Sequence, residues 1–232
     1  VAGDLLDAHR RGRADAGRVV HRNGEKLIWA FARYGRLLRE RRLLGFAGAG
    51  GFFYGGIFAY VAGSPFAYIS YHHVPAQLYG VLFGGGIVGL MAANFINARL
   101  VMRFGSETML VAGNGAAALA GAVLAVDSWT GWGGLAGLAA PLFAFVSAAG
   151  FIIANAVAGA MGAFQERAGA VSALVGAIQY GAGMVGSGLV GALADGTPWP
   201  MGMVIAAAGL GGLVCTRLLR AAPVRGGRQQ PA

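Results

Sequence analysis

All 18 lysines and arginines of this 232-residue chain fall outside its apolar stretches. When those stretches are threaded as six membrane spans, every basic residue lands on the same side. Those from Arg10 to Arg42 precede the first span, Arg99 and Arg103 follow the second, and Arg167 follows the fourth. Arg217, Arg220, Arg225 and Arg228 follow the sixth. The opposite loops hold Asp127, Asp195, His72 and His73. Loops that retain Lys and Arg stay cytoplasmic during insertion, so the pattern predicts an even span count with both termini cytoplasmic.

Composition points the same way, because 56% hydrophobic and 12% charged residues lie far from the roughly 25% charged content of soluble domains. The expectation is an all-α integral membrane protein. A net charge of +9 would suit nucleic acid if the arginines dressed a soluble fold. Here they crowd at span ends and in two tails, and no nucleic-acid partner is expected. The single Cys215 can form no internal disulfide and carries no redox information. Abundant Arg, Ala and Gly suggest a GC-rich bacterial source.

Six spans are predicted at about 43–61, 77–96, 108–126, within 135–161, 170–194 and 201–217. Each approaches the roughly 20 residues that cross about 30 Å of hydrocarbon. Residues 97–107 read as a tight basic loop, and Trp129 and Trp132 suit an interfacial belt. Many of the 42 glycines fall inside spans, where small residues let helix backbones approach closely. Gly80 with Gly84, Gly85 with Gly89, and Gly181, Gly183, Gly186 and Gly188 are the candidate contacts.

Residues 1–42 differ from the rest of the chain. They are polar to about Lys26 and then amphipathic, with Leu27, Ile28, Phe31, Tyr34, Leu37 and Leu38 at helical spacing between arginines. This predicts a helix on the cytoplasmic membrane surface, in contact with anionic lipid or serving as an orienting linker. The residues before Lys26 have the composition of disorder. No signal peptide and no initiating Met are present, so the chain reads as a piece of something longer or an incomplete gene product.

The run from Phe58 to Phe66, containing Gly63-Ser64-Pro65-Phe66, and then Val74-Pro75-Ala76-Gln77-Leu78-Tyr79-Gly80 resemble helices seven and eight of the Bcr/CflA (bicyclomycin-resistance) drug:proton antiporters of the major facilitator superfamily. Asn97-Ala98-Arg99-Leu100-Val101-Met102-Arg103-Phe104-Gly105 resembles the loop after that family's eighth helix. Ala154-Asn155-Ala156, the run from Glu166 to Leu174 and Gln179 resemble its tenth and eleventh helices. The resemblance covers about 43–219. It implies one six-helix half of a twelve-helix major facilitator fold, with 1–42 as the cytoplasmic connection between bundles and 220–232 as a cytoplasmic tail. It further implies a multi-pass protein of the bacterial inner membrane, with membrane lipid, a small amphipathic drug-like substrate and protons as partners. The N-terminal six-helix bundle is absent from this sequence. Substrate in such folds sits near the midplane between two halves, so this half alone is expected not to transport.

No Asp, Glu, Lys, Arg or His falls in the interior of a predicted span, so proton coupling is expected to reside in the other half or not to exist. No cofactor and no metal site are expected, and His72 and His73 sit in an exposed outer loop. Asn155 and Gln179 lie about nine and ten residues from the same cytoplasmic turn, hence at one depth roughly 14 Å in. Two readings stay open: an uncharged polar patch on a substrate wall, or an interhelical amide pair worth about 1 kcal/mol. Tyr54 and Tyr60 on the first span, and Tyr180 on the fifth, are candidate aromatic wall residues, with Asn94 a weaker candidate. Asn97, Arg99, Arg103 and Gly105 form a candidate cytoplasmic gate loop, for which positive-inside anchoring is the plain alternative.

Gly186-Ser187-Gly188 in a six-span protein raises intramembrane serine proteolysis, but that chemistry needs a base beside the nucleophile. The only nearby histidines are in an outer loop, and an enzyme is not expected. A half-size homodimeric transporter and a non-transporting membrane scaffold remain as alternatives.

Overall fold

The computed structural model describes Gly35 and residues 39–220. The amphipathic positions Leu27 to Leu38, the polar residues before them and the tail from 221 onward lie outside the described residues. Five long helices make up the remainder: α1 (Arg41–Pro65), α2 (Ala76–Thr130), α3 (Gly134–Ala163), α4 (Ala168–Ala192) and α5 (Trp199–Arg220). All five are long and apolar enough to cross a membrane, and no strand occurs among the described residues. The fold is an all-α membrane bundle. α1 starts two residues earlier than its hydropathy suggests and continues into a π-helical segment, Phe66–Tyr71. A 3₁₀ turn, Gln165–Arg167, joins α3 to α4.

The count of five continuous helices, where six spans were expected, comes from α2. Its 55 residues would measure about 80 Å as a straight rod, more than twice the hydrocarbon thickness. The break lies at Gly105, whose φ of 79° and ψ of 158° are not helical. That region of backbone space is open essentially to glycine alone. Contacts with α3 give the direction of each arm. Along the first arm, residues 76–104, Gly86 faces Val146, Gly89 faces Phe143 and Ser147, and Gly150 faces Ala93 and Asn94, so this arm runs parallel to α3. Along the second arm, residues 106–130, Gly113 meets Phe151 and Ile152 while Asp127 meets Gly133 and Gly137, so it runs antiparallel. The predicted loop at 97–107 is therefore corrected. Asn97 to Phe104 contain neither glycine nor proline and continue the helix, and one residue makes the reversal.

α1 is the central element, running parallel to α4 and antiparallel to α3 and α5. Phe53, 1% exposed, stacks on Phe145 at 4.9 Å between ring centroids. A Cβ on Gly56 would stand 2.5 Å from Phe145 Cζ, so that aromatic layer closes only over a glycine. Gly55 and Gly186 bring α1 and α4 into backbone contact. Among the glycine contacts expected from sequence, Gly89, Gly183 and Gly186 do meet a neighbouring helix. Gly80, Gly84, Gly85, Gly181 and Gly188 face open space instead.

The connections put the described arginines of the helical bundle at one end. Arg42 at the start of α1 donates to Glu107 just past the break, Nη2 to Oε2 at 3.0 Å, and Leu219 of α5 packs over Gly45. At the other end Trp129 and Trp132 are exposed, and Trp129 meets Trp199 edge-on at 4.8 Å. His72 and His73 share that end, with His73 at a φ of 53° where the π-helical segment stops.

Candidate functional site

Asn155 lies on the face of α3 that packs against the first arm of α2. Its Nδ2 donates to Asn97 Oδ1 at 2.7 Å and to the Phe151 carbonyl at 2.8 Å. Asn155 and Asn97 are 2% and 6% exposed. Asn97, expected on a gate loop, is thus a buried helical residue whose partner is Asn155. The parallel run of the two segments brings these positions level.

Gln179 is buried on α4 but makes no amide pair with Asn155. A Cβ on Gly50 would lie 2.8 Å from Gln179 Nε2 and 3.1 Å from the Ala156 Cβ, so both side chains border one level of α1. Gln179 and Ala156, the neighbour of Asn155, thus reach the same level of α1, and of the two readings left open the Asn155–Gln179 pair is not formed, Asn155 pairing with Asn97 instead. Gln179 Nε2 has no hydrogen-bond partner among the described residues, and neither has the Oδ1 of fully buried Asn114. An unmet buried polar group costs roughly 1–3 kcal/mol. Asn114 donates to the Leu110 carbonyl at 2.9 Å and borders Gly212 of α5. It was legible as an uncharged polar residue inside the third predicted span, the signal that singled out Asn155.

The aromatic candidates divide into two groups. Tyr54 meets Tyr180 edge-on at 5.5 Å, and Phe58 joins them at 6.3 and 6.4 Å, forming a cluster across α1 and α4. Tyr180 is 60% exposed, so this cluster reaches the surface of the bundle just beyond Gln179. Tyr60 points elsewhere. It is buried and stacks on Phe83 at 5.4 Å with rings 9° from parallel, near Tyr68 and Tyr79. Asn94, the weaker candidate, is exposed on the first arm of α2.

Arg99 and Arg103 lie on the last helical turns before Gly105 and are exposed. Arg99 sits over the Phe95 ring at 4.0 Å and Arg103 over Phe104 at 5.4 Å. Both stems thus lie along their own helix. Among the described residues this end holds the ion pair Arg42–Glu107, which sequence reasoning did not single out because the residues lie 65 positions apart.

Over 74 residues, 32% of its length, the chain is 38% identical to a bicyclomycin resistance protein homolog of Haemophilus influenzae. Over 65 residues, 28% of its length, it is 40% identical to an uncharacterized MFS-type transporter of Bacillus subtilis. Over these partial stretches the likeness supports a Bcr/CflA-like transporter-family character for the chain. These stretches cover 19% and 16% of the two relatives, so less than a fifth of either is matched. No family model and no solved structure matches the chain. One of these relatives is named as a transporter and the other as a resistance protein homolog.

One residue of the chain departs from its expected setting. Asp127, assigned from sequence to an outer loop, occupies the last turns of α2 and is 7% exposed. Its Oδ1 accepts the Gly133 amide at 2.7 Å. A carboxylate at the start of α3 complements the unpaired amides there, so Asp127 reads as the fastener of a helical corner.

Proposed function

We propose that the chain forms part of a multidrug efflux transporter that expels small amphipathic compounds from the cell. Substrate contacts come from the amide level of the bundle, Asn155 and Gln179, and from the Tyr54–Tyr180 aromatic cluster beside it. Proton antiport drives the cycle, with coupling acids supplied by a second six-helix bundle in the complete protein. The basic end faces the cytoplasm in a bacterial inner membrane, residues 1–42 link the bundles, and residues 220–232 form a tail. Arg99, Arg103 and Gly105 border the cytoplasmic opening.

The observation that carries this reading is Gln179, a buried amide donor without a partner, adjoining an aromatic cluster that opens at Tyr180. Such a donor suits a hydrogen bond to substrate, whereas a purely structural amide is satisfied within the fold. The likeness to a bicyclomycin resistance protein homolog supports the substrate class. Exposed Tyr180, Met184, Val185 and Leu189 make α4 suited to face a second bundle.

Gln179→Leu and Gln179→Ala in the intact protein test the reading through expression level and resistance across a drug panel. Normal accumulation with an altered resistance profile is expected. Normal accumulation with every resistance value unchanged would remove Gln179 from the substrate wall.

A further inference from the structure

A second cleft lies away from the amide level, between α1, the first arm of α2 and α3. Its volume is about 330 Å³, and Tyr60, Tyr68, Gly85, Phe143 and Val146 are among the residues that line it. It sits toward the tryptophan end, since Tyr60 and Tyr68 are far along the α1 rod from Arg42 and its α3 wall begins at Ala139.

Three features distinguish it from a gap between apolar helices. Tyr60 and Tyr68 line the cleft and are only 5% and 3% exposed, and no hydrogen bond engages either hydroxyl among the described residues. The neighbouring Tyr79 hydroxyl, by contrast, is engaged with Ser64 Oγ at 3.2 Å. Gly85 in the cleft wall faces open space, where a Cβ would meet no atom within 4 Å. Finally, no charged residue among the described ones lines the cleft.

We infer that this cleft binds an uncharged aromatic molecule of one or two rings carrying a hydrogen-bond acceptor oxygen, held by the Tyr60 and Tyr68 hydroxyls. The volume falls at the lower end of the range for small-molecule pockets, about 300–1,000 Å³, and so limits the ligand to a few rings. The Tyr60 and Phe143 rings supply apolar walls, while a phenolic O–H donates readily to a carbonyl or ether oxygen. A charged ligand would lose its hydration with no opposite charge in the wall to compensate. The site goes beyond the amide wall proposed above and stands without it, because occupancy is read as binding and not as transport.

Benzophenone is a suitable probe, having two rings, one carbonyl acceptor and photochemical attachment to nearby C–H bonds. The full chain in phospholipid nanodiscs is irradiated over a concentration series and the labelled peptides are mapped by mass spectrometry. Saturable labelling is expected within 82–86 and 139–146. Tyr60→Phe and Tyr68→Phe keep the rings and remove the hydroxyls, and each should weaken apparent affinity about fivefold, the value of one neutral hydrogen bond. Gly85→Phe should abolish saturable labelling by filling the cleft. Gly80→Phe, at an open position outside the cleft lining, should leave it intact and controls for a large side chain on this arm. Labelling that rises linearly with concentration, or is the same in both tyrosine variants as in the parent, would overturn the proposal. So would loss of the signal when phospholipid is added in excess, since lipid would then be the occupant.

Discussion

Asn97 and Asn155, 58 residues apart, share a hydrogen bond of 2.7 Å in the interior of the bundle and join the first arm of α2 to the parallel α3. Asn97 Oδ1 is met by the Asn155 donor, whereas Gln179 Nε2 at a similar level has no such partner among the described residues. Substitution should therefore have opposite consequences at the two places. Asn155→Leu leaves Asn97 Oδ1 buried without its donor and should lower stability by about 1 kcal/mol, as for interhelical hydrogen bonds within membranes. Asn97→Leu combined with Asn155→Leu should recover most of that loss, because removing both partners leaves no unmet group. A double-mutant cycle by denaturation in mixed micelles measures the coupling.

Gln179→Leu should raise stability by roughly 1 kcal/mol, since it removes an unpaired donor from a buried position. The same measurement in micelles checks it. A fall of similar size would mean that Gln179 is satisfied within the fold.

Gly105→Ala should destabilise the bundle by about 1–3 kcal/mol, the range for a side chain forced into backbone conformations kept for glycine. A Cβ there would meet no neighbouring atom, so the effect would arise from the backbone alone. Thermal unfolding of the variant, with Gly115→Ala as a helical control that also faces open space, separates the two contributions.

Arg42 and Glu107 are half-buried at 26% and 37% exposure. Their ion pair should contribute no more than about 1 kcal/mol. Glu107→Gln should therefore lower the melting temperature slightly in low salt, and the difference should shrink as ionic strength rises.

The loop before α5 gives a pH dependence. The side-chain hydroxyl and backbone amide of Thr197 both donate to Asp195 Oδ1, at 2.7 and 2.9 Å, and hold its carboxyl below the ordinary value of 3.8. Because the folded value is depressed, the stabilisation is present above the unfolded value and is lost as pH falls through the folded one. Protection of the Thr197 amide from hydrogen exchange should thus be constant from neutral pH to about 4 and weaken below it, after correction for intrinsic rates. Asp195→Asn should remove that acid step.

The membrane class and the clustering of arginines were legible because both depend on composition along the chain. The join inside α2 was not, because Asn97 to Phe104 are both polar enough for a loop and regular enough for a helix. Only the backbone at Gly105 settles that ambiguity. The amide level was partly legible, since helical rise fixed the depth of Asn155 and Gln179. Rotation about the helix axis decided their partners, and Asn155 faces Asn97 while Gln179 borders Gly50. Tyr68 and Tyr79 escaped notice because their meeting depends on a π-helical segment after Pro65, which hydropathy does not reveal.

The account stands or falls on α2 crossing the membrane twice, since this brings Asn97 level with Asn155 and gathers the basic residues at one end. Single cysteines at Gln77, Ser106 and Thr130, introduced on a Cys215→Ser background, can be probed with a membrane-impermeant maleimide in intact and permeabilised cells. Ser106→Cys should react only after permeabilisation, while Gln77→Cys and Thr130→Cys should react in intact cells. Labelling of Ser106→Cys from the same face as both other positions would contradict the double crossing.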